Sequence, residues 1–167
     1  MIRKNLNNYI FVIGVITFLL MQMTFIPQMF RQNMVPNLVL IALIAGSLLA
    51  SDGSVLYVAF FAGYIFDIYS GKYFGAVMIS FVIAVFSASY MNHYFLKEAF
   101  SLSVLFSAIL SVVLYHVSYY SIVYVLNLYR PAVETGSLAM VAASDILLLA
   151  VMFYPLIYIF SYNRNEK

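Results

Sequence analysis

Three ionisable residues, Asp67, His116 and Asp145, lie well inside apolar stretches of the sequence. An unpaired charge is costly in apolar surroundings, so such side chains are expected to face the protein interior and to find partners there. We therefore expect the three side chains to share one buried polar pocket. The simplest interpretation is a structural polar clamp. A proton or ion pathway is the alternative, because a histidine between two carboxylates can relay protons.

Other catalytic and metal-binding patterns are weak or absent in the sequence. Two aspartates can share a proton for acid–base catalysis, but Asp145 lies in "AASD" rather than in the "GxGD" of intramembrane aspartyl proteases. No zinc-binding "HExxH" occurs, His93 is remote from His116, and the serines show no nucleophile motif. Cysteine is absent, which excludes thiolate ligands and cysteine nucleophiles. We predict no enzymatic activity, no metal and no cofactor.

The stretch "GYIFDIYSGKYFG", residues 63–75, surrounds the first of these aspartates. Gly63 and Asp67 are four residues apart and so share one face of a helix. Gly63 would let a neighbouring helix approach closely, and Asp67 would meet a partner at that contact. Ser70 and Gly71 would end the helix, because glycine suits a left-handed C-terminal cap. Gly75 would permit a tight turn into the next helix. The loop follows a helix rather than a strand, so it is not a phosphate-binding loop.

The composition requires lipid surroundings for the helices that position these residues. The chain has 167 residues, of which 65% are hydrophobic and 8% are charged, and its mean hydropathy is +1.00. A soluble domain carries about a quarter charged residues. The net charge of +2 is too small to indicate nucleic-acid binding.

Long apolar runs predict an all-α integral membrane protein, a bundle of about six transmembrane helices. We expect a single transmembrane domain, residues 1–167, with spans at about 9–26, 36–50, 55–69, 76–95, 100–126 and 138–160. The second and third runs are short for full spans. Residues 36–69 therefore form either two thin spans or one re-entrant hairpin, and both arrangements leave the rest of the topology unchanged.

The distribution of basic residues predicts that both termini are cytoplasmic. An even number of spans places the termini on the same side, and cytoplasmic loops carry an excess of lysine and arginine. With the termini inside, the inner basic residues are Arg3, Lys4, Lys97, Arg164 and Lys167. The outer basic residues are Arg31, Lys72 and Arg130.

Small residues recur at every fourth position along several predicted helices. They are Ala42, Gly46, Ala50, Ala59, Gly63, Ala84, Ala88, Ala139 and Ala143. Small side chains let helix backbones approach closely, and in lipid such packing replaces the hydrophobic drive. These faces either pack the bundle internally or dock a helix of another protein, and the sequence favours the internal role.

The segments "VPNLVLIALI" at 35–44 and "FFAGYIFDIYSGKYFG" at 60–75 resemble the bacterial rod-shape-determining MreD family. The shared features are a Pro-Asn pair at the start of the second span and a Gly-x-x-x-Asp-x-x-Ser-Gly-x-x-x-Gly pattern. Here they are Pro36, Asn37, Gly63, Asp67, Ser70, Gly71 and Gly75. The remaining helices agree only in hydropathy and length. The family often has a basic residue directly before Pro-Asn, whereas this chain has Val35.

The resemblance implies a non-enzymatic scaffold of the cell-elongation and peptidoglycan-synthesis machinery in the bacterial cytoplasmic membrane. Its implied partners are MreC by direct contact, MreB and RodA with its transpeptidase partner indirectly, and the lipid bilayer. The family is thought to be similar in fold to the substrate-binding components of energy-coupling-factor transporters. The alternative is therefore a membrane component that binds a vitamin-like small molecule. The first helix contains Gly14 but no Ala-x-x-x-Ala face, and this absence counts against a transport function.

Overall fold

The chain folds into α-helices, as seen in a computed structural model that describes residues 2–29, 36–49, 53–71, 73–95, 101–126 and 141–151. Its helices are α1 (Ile2–Thr24), α2 (Ile26–Met29), α3 (Leu38–Leu49), α4 (Ser54–Ser70), α5 (Ala76–Phe95), α6 (Ser101–Leu126) and α7 (Val141–Val151). No strand occurs in these residues. The all-α fold class predicted from the sequence is confirmed.

Helix α5 occupies the centre of the described bundle and packs against α3, α4 and α6. Phe81 of α5 is fully buried. Its ring lies 5.4 Å from the ring of Tyr115 on α6 and 6.5 Å from that of Phe66 on α4, measured between centroids. Helix α1 packs against α3 and α4. Each of the helices α1, α4 and α6 therefore packs against α3 or α5, and α3 and α5 pack against each other.

The outer faces of the described helices are apolar as well. Phe61 on α4, Phe106 on α6 and Leu147 on α7 are each more than 60% exposed. A soluble bundle would carry charged side chains at such positions. By length and composition, Val104–Leu126 is the one described segment that alone could cross a membrane, and the other apolar helical segments are shorter. The six membrane crossings stay a prediction.

Helix α3 is too short to cross a bilayer by itself. Its 12 residues span about 18 Å, against about 30 Å of hydrocarbon. Helix α4 has 17 residues, or about 26 Å. Helix α3 begins at Leu38, two residues after Pro36, and its first turn is buried. Directly after α1 the chain forms the short helix α2, which contains Pro27, and proline suits the first turn of a helix.

The small residues occupy different environments. A side chain at Gly46 would overlap the ring of Phe11 on α1, and one at Gly63 would overlap the backbone of Met78 on α5. Ala143 is exposed. The alanines at positions 59, 84 and 88 are fully buried, and the one at 42 is half-buried. Positions 50 and 139 lie outside the described residues. Close helix approach at Gly46 and Gly63 is thus part of the internal packing.

Candidate functional site

The buried polar groups form two clusters. The first, which we call the turn cluster, consists of Asp67 and the backbone N–H groups at the start of α5 that donate hydrogen bonds to its carboxylate. Asp67 Oδ2 accepts hydrogen bonds from the N–H groups of Gly75 and Met78, each at 3.0 Å, and Oδ1 accepts one from Val77 at 3.1 Å. The first N–H groups of a helix have no partner within the helix and carry its positive dipole end. A carboxylate there accepts these N–H groups and places a negative charge at the positive end of the dipole, so Asp67 serves as a cap for the following helix.

The glycines around Asp67 make this cap possible. Gly71 has φ 61° and ends α4 in the left-handed conformation, with its N–H donated to the carbonyl of Asp67 at 3.1 Å. Gly75 has φ 92° and turns the chain into α5. Gly63, one turn before Asp67, lies against the backbone of Met78, whose N–H reaches the carboxylate. Together, the glycines bring the end of α4 and the start of α5 within hydrogen-bond reach of one side chain.

The second group, which we call the bridging cluster, consists of Gln22, Asn37, Tyr115, His116 and Asp145. Asp145 on α7 is fully buried. Its Oδ1 accepts the backbone N–H of Asn37 at 2.6 Å, and its Oδ2 lies 2.9 Å from Nε2 of His116 on α6. The aspartate therefore ties α7 to α6 and to the start of α3.

Asn37 and Gln22 complete the start of α3. Asn37 Oδ1 accepts the N–H of Leu40 at 3.0 Å, which is the geometry of an N-cap. Its Nδ2 donates to the hydroxyl of Tyr115 at 3.2 Å. From α1, Gln22 accepts the N–H of Leu38 at 3.0 Å and donates to the carbonyl of Pro36 at 2.9 Å. Side chains of three other helices thus replace water at a buried helix terminus.

Among the three ionisable residues expected to share one pocket, the structure brings together His116 and Asp145. Asp67 makes its hydrogen bonds within the turn cluster and does not contact the other two. Of the seven motif residues, Asn37 belongs to the bridging cluster, and the carbonyl of Pro36 accepts a hydrogen bond from Gln22 of that cluster. The others lie at the turn cluster, where the Ser70 hydroxyl donates to the carbonyl of Asp67 at 3.1 Å. The side chain of His93 lies outside the described part.

A cavity of about 330 Å³ adjoins the bridging cluster. Its polar walls are formed by Gln22, Asn37, His116 and Asp145. Its aromatic walls are formed by Phe66, Tyr115, Tyr119 and Tyr120. The His116 ring stacks on Tyr120 with centroids 6.0 Å apart, and Tyr115 stacks on Tyr119 at 6.1 Å. Sequence reasoning missed Gln22 and these tyrosines, although a glutamine inside "FLLMQMTF" and the run "LYHVSYY" both signal polar groups within apolar helices.

Both carboxylates in these clusters are engaged in hydrogen bonds. The Asp67 carboxylate is occupied by three backbone donors, and the Asp145 carboxylate by a backbone donor and an imidazole. No group of three or more metal-ligating side chains occurs among the described residues. Within the same residues, Nδ1 of His116 is the one buried side-chain nitrogen or oxygen without a hydrogen-bond partner.

An all-helical bundle with apolar outer faces and buried polar clusters is the form expected of an integral membrane protein. A comparison with protein families matches residues 2–163 to the family described as rod shape-determining protein MreD. The chain belongs to the MreD family, a membrane protein family with a role in rod-shape determination. A search of curated proteins and a search of solved structures each find no match. The resemblance noted on the sequence motifs is confirmed over nearly the whole chain.

Proposed function

We propose that this protein is a non-enzymatic scaffold of the bacterial cell-elongation machinery. The observation that carries this proposal is the match of residues 2–163 to the MreD family. The scaffold acts within the cytoplasmic membrane, where it fixes the positions of partner proteins. The engagement of both aspartates in helix-terminus hydrogen bonds supports a structural role for the polar residues.

The proposed direct partner is MreC, whose single membrane span would pack on one outer face of the bundle. Helices associate in lipid by close packing and by interhelical hydrogen bonds, since the hydrophobic drive is absent there. MreB and RodA with its transpeptidase partner would be reached indirectly, through MreC. Large exposed side chains on several described helices offer surfaces for such a contact.

Co-purification tests the scaffold directly. The tagged protein is expressed with the MreC of the same bacterium and recovered in mild detergent, beside an unrelated multi-pass protein with the same tag. We expect MreC to be recovered with this protein and not with the unrelated control protein. Recovery of a coupling subunit or a vitamin-like ligand without MreC would favour the transporter alternative instead.

Alanine substitutions of three phenylalanines of similar exposure test which helix contacts MreC. Phe61 on α4, Phe86 on α5 and Phe106 on α6 are 61%, 58% and 63% exposed. Each is replaced by alanine in a separate variant. We expect one of the three variants to lower MreC recovery while all three keep the melting temperature of the unmodified protein. Equal recovery in all three variants would place the contact on another helix.

The scaffold is further proposed to cross the membrane six times with both termini cytoplasmic. Single cysteines suit this test because the chain has none of its own. Cysteines at positions 33, 73 and 133 are expected to react with an impermeant reagent added outside. Those at positions 3, 97 and 164 are expected to react only after the membrane is permeabilised. External labelling of position 164 would overturn this topology.

A further inference from the structure

The apolar segments that the bundle presents on its helices differ greatly in length. Helix α4 has 17 residues, and its apolar part, Val55–Tyr69, is about 22 Å long. The apolar part of α5, Ala76–Met91, is about 24 Å long. That of α6, Val104–Leu126, has 23 residues, or about 35 Å. The hydrocarbon core of a bilayer is about 30 Å thick, so α6 is long enough to cross it, whereas α4 and α5 are too short.

The short length of α4 is set at both ends. The nearest charged residues in the sequence are Asp52 before the helix and Lys72 after it. A charged side chain is costly in hydrocarbon, so the segment that suits hydrocarbon lies between these two residues. Gly71, in the left-handed conformation, ends the helix after Ser70. Tilting the helix would only reduce the thickness that it crosses.

The exposed side of α4 suits lipid better than it suits a second protein helix. Within α4, whose residues are all described, the exposed positions carry no small residue. The small residues Ala59, Ala62 and Gly63 are buried inside the bundle. Helices associate in lipid where small side chains let their backbones approach closely. Acyl chains are therefore the expected occupant of the exposed side, which includes Tyr57, Phe60, Phe61, Ile65 and Ile68.

We propose that the short face, by which we mean the exposed side chains of the packed helices α4 and α5, thins the bilayer around it and prefers phospholipids with short acyl chains. Thinning of the bilayer is one response to a span shorter than the hydrocarbon core, and its cost grows with the mismatch. Short acyl chains lower this cost because they form a thinner bilayer. The longer α6 requires no thinning. The proposal rests on the topology proposed above, in which α4 and α5 each cross the membrane.

Tryptophan fluorescence can measure this preference, because the chain has no tryptophan of its own. Phe61→Trp places a reporter on α4 and Val117→Trp places one on α6, where the replaced side chains are 61% and 57% exposed. Each variant is reconstituted without MreC into brominated dioleoylphosphatidylcholine, which quenches tryptophan. Dimyristoleoyl or dierucoyl phosphatidylcholine is then mixed in as the short-chain or long-chain competitor. The recovery of fluorescence gives the relative affinity of each helix surface for the two competitors.

The two reporters are expected to give different results. At Phe61→Trp the short-chain lipid should compete at least about threefold more strongly than the long-chain lipid. At Val117→Trp it should have no advantage. Phe86→Trp on α5, where the replaced side chain is 58% exposed, is a second reporter of the short face and should agree with Phe61→Trp.

Three results would overturn the proposal. The first is equal affinity for the two lipids at Phe61→Trp and Phe86→Trp. The second is the same short-chain preference at Val117→Trp, since the preference would then not belong to the short face. The third is a lack of quenching by brominated lipid at Phe61→Trp and Phe86→Trp, which would show that protein rather than lipid covers this face.

A matched pair of arginine substitutions tests whether apolar length sets the preference. Tyr57→Arg shortens the apolar part of α4 to about 18 Å, whereas Tyr124→Arg leaves about 30 Å on α6. The replaced tyrosines are 73% and 71% exposed. With Phe61→Trp as the reporter, Tyr57→Arg should increase the preference for the short-chain lipid, and Tyr124→Arg should leave it unchanged. An unchanged preference in the Tyr57→Arg protein would contradict the proposed role of length.

Failure of the topology and failure of the lipid preference give different results. We expect Asp52→Cys to react with an impermeant reagent only after the membrane is permeabilised. External labelling of position 52 would refute the crossing by α4, and the proposal with it. Labelling from the inside only, together with equal affinities for the two lipids, would refute the lipid preference and leave the six-span scaffold unaffected.

Discussion

The turn cluster and the bridging cluster both place a buried aspartate at the start of a helix, but they are built over very different distances along the chain. Asp67 accepts N–H groups from residues eight to eleven positions later. Asp145 accepts the N–H of a residue 108 positions earlier and contacts a histidine 29 positions earlier. The first aspartate therefore fixes the turn between two consecutive helices, whereas the second holds three separated helices together.

The two clusters also differ in how completely their hydrogen bonds are used. In the turn cluster, both carboxylate oxygens are engaged by backbone donors of one helix. In the bridging cluster, Nδ1 of His116 is buried and has no hydrogen-bond partner within the described residues. The turn cluster thus joins two consecutive helices, whereas the bridging cluster joins helices that are far apart in the sequence.

The largest effect is expected from Asp67→Leu. This change leaves three N–H groups at the start of α5 without acceptors, and each such loss costs about 1 kcal/mol or more. We expect the free energy of unfolding to fall by roughly 3 kcal/mol, measured by denaturant titration in detergent and followed by helix circular dichroism. Recovery of MreC should fall with it. Wild-type stability would show that Asp67 does not hold the two helices together.

A slightly smaller effect is expected from Asp145→Leu. The change removes the acceptor for the Asn37 N–H and the partner of His116, so two buried groups lose their hydrogen bonds. We expect a loss of about 2 kcal/mol in the same denaturant titration. A loss larger than that of Asp67→Leu would reverse the comparison, since it would mean that the long-range cluster contributes more to stability than the turn does.

Much of the turn cluster could be predicted from the sequence because its parts are close together in the chain. The spacing of Gly63 and Asp67 predicts a shared helix face, and Ser70-Gly71 predicts the end of that helix. The structure places these residues at those positions, with Gly71 in the left-handed conformation. The acceptor role of Asp67 toward the next helix was beyond this reasoning, because the loop path decides which N–H groups reach it.

The bridging cluster could be predicted only in outline. Burial of His116 and Asp145 follows from their place in apolar runs, but hydropathy does not reveal which helices are neighbours. The contact of Asp145 with the backbone of Asn37 depends on that arrangement. Grouping Asp67 with them followed from its burial, and burial does not determine the direction of a side chain. Gln22 was missed because an uncharged amide is less conspicuous in an apolar run than a carboxylate.

Asparagine substitutions sharpen the comparison, because the two aspartates face different numbers of donors. At position 67, an amide has one oxygen for three N–H groups, so at least one hydrogen bond is lost. At position 145, the amide oxygen can accept the Asn37 N–H while the amide nitrogen donates to Nε2 of His116. We expect Asp67→Asn to cost about 1 kcal/mol and Asp145→Asn less. Equal melting temperatures of the two variants would contradict this difference in hydrogen bonding.

The smallest effect on stability is expected from His116→Gln. His116→Leu is the matched variant with which it is compared. Glutamine can still donate to Oδ2 of Asp145, so the carboxylate keeps both of its hydrogen bonds. Leucine cannot donate, and it leaves a buried carboxylate oxygen unpaired. We expect His116→Gln to change the free energy of unfolding by less than about 0.5 kcal/mol, and His116→Leu to lower it by about 1–2 kcal/mol. Equal losses in both variants would show that the hydrogen bond to Oδ2 of Asp145 is not what His116 contributes to the fold.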